Sequence, residues 1–184
     1  MNLYGNRIDL RELVLDDCEA IHSVANHPDV YRYQPFGPNT SEETLTYLQG
    51  VMQRGRENPR REYTLAVVQK PTGVLIGYVS LWLTNREFQA GEVGFFLHPD
   101  YWGQGFGSEA ARLLIRYAFE DLALHRVGAS ADPRNAASRR VLERVGMVHE
   151  GRIRDAMLIR DGWRDSDVYS VLEREWSAGQ VQKG

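Results

Sequence analysis

The chain has 184 residues, of which 42% are hydrophobic and 26% charged, and it contains a single cysteine, Cys18. This length and composition predict one soluble globular domain and exclude disordered and fibrous proteins. One cysteine excludes an internal disulfide and a thiolate zinc site, and a formal charge of −3 argues against a dedicated nucleic-acid binder.

The first residues lack the basic-then-apolar pattern of a signal peptide, and no stretch is apolar for long enough to span a membrane. These features predict a cytoplasmic protein. Charge is distributed unevenly, with a net of −5 over residues 1–50 and +4 over residues 125–164. The acidic part would suit a cationic ligand and the basic part an anionic one, although solvated surface charge explains either as well.

The N-terminal third predicts one strand followed by two helices. Residues 8–13 alternate between apolar and polar, which is the period of a half-buried strand. A helix is predicted from Asp16 to just before Pro28, because proline ends a helical pattern. A second helix begins at Thr40 or Ser41, with acidic residues in its first turn, and residues 54–61 are predicted to be a loop.

The middle of the chain is rich in β-forming residues. Residues 63–68 and 74–83 form a predicted hairpin, since Pro71 and Gly73 between them are typical turn residues. Residues 92–97 form a third predicted strand, and an amphipathic helix follows over residues 107–121.

The C-terminal third alternates between strands and a helix. A short strand is predicted at 127–131, and a helix at 136–145 with Asn135 as its N-cap and Gly146 at its end. Two further strands are predicted at 147–156 and 164–172, on either side of a turn. This order of elements predicts a mixed α/β sheet with helices on both faces.

Three glycines at alternate positions, Gly103, Gly105 and Gly107, lie between a predicted strand and a predicted helix. Glycine lets successive backbone N–H groups point into one space, and the helix N-terminus adds partial positive charge, so this glycine loop suits a phosphate or pyrophosphate. A Walker loop is excluded because no lysine follows Gly107, and the spacing differs from that of dinucleotide-binding loops. The remaining alternative is a flexible connection.

The glycine loop resembles the pyrophosphate loop of the GNAT acetyltransferase superfamily, Arg/Gln-x-x-Gly-x-Gly/Ala, with Trp102 at the usual Arg/Gln position. Residues 135–147 resemble a second family block, Asn-x-x-Ser-x-x-x-hydrophobic-Glu-x-x-Gly-Phe, with Met147 in place of Phe. Segment 92–97 resembles the family's strand before the glycine loop. Segments 150–154 and 162–165 resemble the C-terminal strands of the RimJ/RimL-like branch of the family. The resemblance extends from Ile8 to Trp176.

The resemblance implies an α/β (α+β) GNAT fold over residues 1–176, with a mixed, mostly antiparallel seven-stranded sheet and helices on both faces, and a polar tail at 177–184. It implies acetyl-CoA as co-substrate and direct attack by a primary amine, either a protein N-terminal α-amine or a small amine. No metal is expected, because no His, Cys or Asp cluster has the spacing of metal ligands. Cys18 lacks a predicted base partner, so an acyl-cysteine step is not expected. The alternative is a regulatory module that binds acyl-CoA without catalysis, which the departure at Trp102 would favour.

The resemblance also implies which residues bind CoA. Backbone N–H groups of the glycine loop would hold the pyrophosphate, and the strand before it would pair with the pantetheine arm. The same residues have structural explanations, since glycines make turns, Phe side chains fill cores and Asn135 caps a helix. The implied CoA-binding residues are Phe95, Phe96, Leu97, Trp102, Gly103, Gln104, Gly105, Phe106, Gly107, Ser108, Asn135 and Arg140.

Two residues are candidates for proton transfer. Ser138 matches the family position that protonates the leaving thiolate, and its alternative role is to satisfy the first turn of a helix. Glu92 is the candidate base, acting through a water molecule, and His98 is a second candidate. A base matters more for lysine-like amines, of which about one in 2,500 is neutral at pH 7, than for α-amines, of which about one-tenth are neutral.

Acceptor selection is expected from the N-terminal helices and the loop beyond them. Tyr31, Tyr33 and Trp82 are predicted to line the acceptor cleft, although aromatic residues at such positions are more often part of a core. The acidic N-terminal part favours a cationic acceptor. The expected partners are acyl-CoA and an amine, with neither a membrane nor nucleic acid, and a second copy of the chain is a candidate partner in a homodimer.

Overall fold

The computed structural model describes residues 1–181. Its N-terminal elements are β1 (Asn2–Tyr4), β2 (Ile8–Glu12), α1 (Cys18–Ala25), α2 (Pro28–Tyr31) and α3 (Ser41–Arg54). The central elements are β3 (Glu62–Gln69), β4 (Leu75–Asn85), β5 (Ala90–Leu97) and α4 (Phe106–Glu120). The C-terminal elements are β6 (Arg126–Ala131), α5 (Ala136–Arg144), β7 (Val148–Ile159), β8 (Gly162–Leu172) and α6 (Glu173–Val181).

All eight strands belong to one sheet, in the order β1-β2-β3-β4-β5-β6-β8-β7. Every neighbouring pair is antiparallel except β5 and β6, which are parallel. The expected mixed, mostly antiparallel sheet is therefore confirmed, with eight strands where seven were expected. The additional strand is β1, whose three residues pair with β2 at the sheet edge and are too few to show an alternating pattern.

Helices cover both faces of the sheet, as expected. On one face, α4 and α5 pack on the larger apolar core, which includes the fully buried Leu65, Ile76 and Leu114. On the other face, α1 and α3 enclose a smaller cluster that contains Leu48 and Tyr78. The two cores hold the central strands rigidly between the helices, so the sheet can serve as the platform of a site.

The predicted helix boundaries follow from side-chain caps. The Thr40 hydroxyl accepts a 3.1 Å hydrogen bond from the Glu43 N–H, and the Glu43 carboxylate accepts a 2.7 Å bond from the Thr40 N–H, which starts α3 with a capping box. The Asn135 side chain accepts from the Ser138 N–H at 3.0 Å and caps α5, which ends at the left-handed Gly146.

Two helices were not predicted. Pro28 ends the pattern of α1 but begins the short α2, because proline is well suited to the first position of a helix. Helix α6 includes residues 177–181, the first part of the expected polar tail, and residues 182–184 lie outside the described residues. No helix within residues 1–181 is long and apolar enough to cross a membrane.

Strands β5 and β6 separate soon after they meet. Their parallel pairing covers only Ala90 with Arg126, Gly91 with Val127 and Glu92 with Gly128. The rest of β5, up to Leu97, continues beside β4 alone. The sheet therefore contains a gap in its centre, directly before the glycine loop.

Candidate active site

Two cavities meet at the gap between β5 and β6. The first has a volume of about 440 Å³ and lies between the glycine loop, β5 and α5. The second has a volume of about 190 Å³ and lies between β4, β5 and the C-terminal strands. Molecules bound in the two cavities would touch at the residues that line both, which are Gln34, Phe95, Phe96, Asn135 and Ser138.

The glycine loop forms one wall of the first cavity. Gly103 and Gly105 have φ angles of 73° and 84°, in the left-handed region that favours glycine. Gly105 is the N-cap of α4, and no side chain of the described residues caps that end of the helix. The first N–H groups of α4, at the lining residues Gly107 and Ser108, are therefore available to an anion in the cavity.

Glycine at position 107 also keeps this cavity open. A Cβ atom there would lie 3.6 Å from Val141 Cγ2 and 3.7 Å from Leu97 Cδ1. A longer side chain would extend between the loop and α5, into the space that the cavity occupies. The loop thus has the backbone shape, the positive helix end and the room that a pyrophosphate needs.

The open edge of β5 faces the gap. The His98 N–H donates to the Ile76 carbonyl at 2.9 Å, so the backbone groups of His98 and Phe96 are directed to β4. Because backbone groups alternate in direction along a strand, those of Phe95 and Leu97 face the gap. The Leu97 carbonyl accepts a 2.8 Å bond from the Trp102 indole, which leaves the Phe95 and Leu97 N–H groups for an extended ligand.

Two of the residues predicted to bind CoA, Gln104 and Phe106, do not line the first cavity. Phe106 is buried in the larger core, and the Gln104 side chain donates to the Asp100 carbonyl, so neither side chain lines the first cavity. The Phe96 ring stacks on Tyr78 at 4.9 Å between ring centroids, so it reaches the cavities while packed against the smaller core. The remaining residues predicted to bind CoA all line the first cavity.

Helix α5 contributes the opposite wall of the first cavity. Ser138 lies at the junction of the two cavities, and Arg140 lies in the first. Ala137, Val141 and Arg144 line the first cavity as well and were not predicted, although they follow from Ser138 and Arg140 by the helical period. Arg140 and Arg144 provide two cationic side chains near the glycine loop.

The second cavity holds two carboxylates. Glu92 lies on β5 beside Trp82 of β4, and both line the cavity together with Tyr33. Asp132 was not predicted; its burial raises the pKa of its carboxyl, but hydrogen bonds from Arg134 outweigh this effect and lower it. Because Asp132 is engaged by Arg134, Glu92 is the more accessible carboxylate of the two.

Two residues predicted for this region face away from the junction. The Tyr31 ring lies 4.8 Å from the Arg160 guanidinium, and Tyr31, predicted to line the acceptor cleft, lines neither cavity. His98 caps the 3₁₀ turn Pro99–Tyr101 and packs edge-on against His27 at 5.4 Å. Within residues 1–181, no group of three or more His, Cys, Asp or Glu side chains is arranged to hold a metal ion.

The sequence patterns gave no indication of Asp29, Val30 and Gln34, which line the first cavity from the other side of the sheet. They also missed Met157 and Ser166 of the hairpin formed by β7 and β8, which line the second. The fold brings these residues to the site from distant segments, and no local sequence pattern marks them as binding residues.

Comparisons with known proteins agree with this geometry. The family model described as "Acetyltransferase (GNAT) domain" matches residues 7–148. Among relatives, "Probable N-acetyltransferase YjcK" of Bacillus subtilis is 32% identical over 176 residues, which cover 92% of the chain and 96% of YjcK. A GNAT-family acetyltransferase structure from Bacillus anthracis has a TM-score of 0.84 at 28% identity, covering 95% of the chain and 99% of that protein.

Two further solved structures share the fold. The ribosomal-protein-S5-alanine acetyltransferase of Vibrio fischeri has a TM-score of 0.78 at 26% identity. The match covers 96% of the chain and 98% of that protein. RimJ of Mycobacterium smegmatis, solved in complex with CoA-disulfide, has a TM-score of 0.83 at 17% identity. The match covers 98% of the chain and 95% of RimJ.

Proposed function

The chain belongs to the GNAT acetyltransferase family, in its RimJ/RimL-like branch, and we propose that this N-acetyltransferase binds acetyl-CoA in the first cavity and a primary amine in the second. The observation that carries the proposal is the junction of the two cavities at Phe95, Asn135 and Ser138. An amine in the second cavity would meet a thioester in the first only at that point. Such an arrangement converts an encounter of two substrates into attack within one complex.

The pyrophosphate of CoA is assigned to the glycine loop. The N–H groups at the start of α4 would donate to its oxygens, and Arg140 and Arg144 would add positive charge from α5. The pantetheine arm would then lie along β5, where the Phe95 and Leu97 N–H groups face the gap. A β5 N–H near the thioester carbonyl would stabilise the negative charge that develops on its oxygen.

Glu92 and Ser138 are assigned the proton transfers. Glu92 takes one proton from the ammonium group through water, which frees the lone pair of the nitrogen to bond the carbonyl carbon, and the nitrogen loses a second proton to solvent once that bond has formed. The carbon–sulfur bond then breaks, and the Ser138 hydroxyl gives its proton to the thiolate and regains one from solvent. Both side chains line the second cavity, and Ser138 also lines the first.

The acceptor is proposed to be cationic before it reacts. The exposed Glu92 gives the second cavity a negative charge, whereas the charge of Asp132 is matched by Arg134. A protein N-terminal α-amine is the first candidate, because the Vibrio fischeri relative is named for the alanine of a ribosomal protein. A small amine is the alternative within the same reaction class.

The experiment is to measure thiol release from acetyl-CoA with N-terminal peptides, polyamines and aminoglycosides as acceptors. Amine-dependent release, together with a mass increase of one acetyl group on the acceptor, is expected for at least one class. CoA binding in a calorimeter without thiol release across the panel would instead support a module that binds acyl-CoA without catalysis. Failure to bind CoA would overturn the assignment of the glycine loop.

A further inference from the structure

The segment from Tyr31 to Gly37, which we call the 31–37 segment, joins α2 to the loop before α3. Its residues Tyr33 and Gln34 line the second cavity, and Gln34 also lines the first. Residues 32–39 form no helix or strand. The position of Tyr33 and Gln34 is therefore set by turn hydrogen bonds, such as that from the Gln34 N–H to the Tyr31 carbonyl, and by contacts from outside the segment.

Arg160 holds it. This residue follows β7, at the turn to β8, and its Nη1 donates to the carbonyl oxygens of Phe36 at 2.8 Å and Gly37 at 2.5 Å. Its Nη2 donates to the Tyr31 carbonyl and, at 3.2 Å, to the Gln34 carbonyl. The guanidinium also lies 4.8 Å from the centre of the Tyr31 ring.

A second contact joins the same segment to α5. The Tyr33 hydroxyl donates a 3.4 Å bond to the Arg134 carbonyl, and the Arg134 guanidinium lies 5.8 Å from the Tyr33 ring. Arg134 precedes α5, whereas Arg160 lies at the tip of the β7–β8 hairpin. The segment is thus attached at both sides of the second cavity, between the hairpin and the start of α5.

The geometry of the guanidinium explains why this residue is suited to the task. A planar fork of five donors can bond several carbonyl oxygens at once, whereas a lysine ammonium is a compact charge that holds fewer in a fixed arrangement. All four acceptors are backbone oxygens. The contact therefore fixes the path of the segment independently of its side chains.

We propose that Arg160 is a positioning residue that closes the acceptor cavity by fastening the 31–37 segment to the β7–β8 hairpin. Opening of this contact would admit the amine between the segment and the hairpin residues Met157 and Ser166, which line the cavity. Closing it brings Tyr33 and Gln34 against the bound acceptor. The inference rests on the proposed function for its assignment of the second cavity to the amine.

The test compares Arg160→Gln and Arg160→Lys with Arg154→Gln, which replaces an exposed arginine of the preceding strand β7. For Arg160→Gln, KM for the amine is expected to rise about tenfold, with CoA affinity changed less than about twofold, because the lost contact orients only the acceptor side. Arg160→Lys should recover part of the loss, and Arg154→Gln should behave as wild type.

Hydrogen exchange followed by mass spectrometry tests the contact without any substrate. Amides of residues 31–39 are expected to exchange faster in Arg160→Gln than in Arg154→Gln, while the strands of the core stay protected. If wild type acetylates no amine, the proposed function fails and this measurement still decides whether Arg160 fastens the segment. Unchanged exchange, or faster exchange with an unchanged KM for the amine, would overturn the positioning role.

Discussion

The Arg7 guanidinium donates a 2.9 Å hydrogen bond from Nη1 to the main-chain carbonyl of Gln104, between the first two glycines of the glycine loop. Its Nε donates to the Glu109 carboxylate at 3.0 Å, and its carbon Cζ lies 4.6 Å from the centre of the Phe106 ring. In a trans peptide the C=O and N–H groups point in opposite directions. Because the Gln104 carbonyl is directed to Arg7, the Gly105 N–H is directed to the other side, which the first cavity occupies.

Arg7→Met is therefore expected to weaken CoA binding about tenfold, since the peptide would lose its orientation and Glu109 its counter-charge near the phosphates. Calorimetric titration with CoA measures this effect. Lys70→Met is the matched control, because it also removes one cation, which donates to the Gly5 carbonyl in the turn between β1 and β2. Equal weakening in both variants would contradict a specific role for Arg7.

Gly105→Ala is expected to lower both stability and CoA affinity. At a φ of 84° an added Cβ costs about 1–2 kcal/mol, and the atom would lie 3.2 Å from Arg7 Nη2. Gly73→Ala, at a φ of 67° in the β3–β4 turn with nothing within 4 Å of the added atom, should cost similar stability but leave CoA affinity unchanged. Urea unfolding and CoA titration separate the two effects, and loss of CoA affinity in both variants would refute the loop assignment.

Glu92→Gln is expected to reduce kcat/KM at pH 7 by about 100-fold for a lysine-like amine and by about tenfold for a peptide α-amine, since the more basic amine depends more on a base. The loss should shrink as the pH rises toward the pKa of the amine. Glu87→Gln, an exposed carboxylate between β4 and β5, is the control. A loss that is the same at pH 7 and at high pH, or for both amines, would argue against Glu92 as the base.

Ser138→Ala is expected to lower kcat by about 10- to 100-fold while CoA affinity stays near that of wild type, because the hydroxyl acts on the sulfur only as the bond breaks. Helix α5 should keep its stability, since the Ser138 backbone N–H, which alanine retains, makes the capping bond to Asn135. Single-turnover kinetics and thermal unfolding measure these effects. Ser130→Ala, which replaces another serine that lines the second cavity, is the control. A wild-type kcat in Ser138→Ala would exclude Ser138 from the mechanism.

Glu150 ties β7 to β6 and should make stability dependent on acid pH. Hydrogen bonds from Arg126 and Ser170 lower the pKa of the Glu150 carboxyl to about 2. Its contribution is thus complete above the ordinary carboxyl pKa and is lost as pH falls through about 2. Glu150→Gln should cost about 1 kcal/mol or less at pH 7, because the pair is exposed, and the difference from wild type in urea unfolding should shrink as the pH falls and vanish below about pH 2. A difference that persists at that pH would exclude the ion pair as its source.

Much of the fold could be predicted because its signals are local. The apolar face of α4 includes Ala110, Leu114 and Ala118, which the helical period places together and the structure buries completely. The capping side chains Thr40 and Asn135 act within three residues of their own position. Helix α2 and strand β1 were missed because four and three residues are too few to show a period.

The CoA side of the candidate site was more predictable than the acceptor side for the same reason. The glycine loop and the start of α5 are continuous segments, so their residue spacing reflects the backbone shape that a phosphate requires. The second cavity, to which the amine is assigned, is assembled from β4, β5, β6, α5, the 31–37 segment and the β7–β8 hairpin, which are distant in sequence. Tyr33 and Tyr31 have the same residue type two positions apart, yet only Tyr33 lines the cavity, whereas the Tyr31 ring lies against the Arg160 guanidinium.

By itself, the sequence determined the order of the elements, the glycine loop, the helix caps and the family resemblance, all of which depend on residues near one another in the chain. Only the tertiary structure decided that Arg7 bonds the glycine loop 97 positions away at Gln104 and that Arg160 bonds the 31–37 segment 126 positions away at Gln34. Periodicity and capping are properties of short segments. A hydrogen bond between distant residues depends instead on how the sheet brings their segments together, and no local pattern records that arrangement.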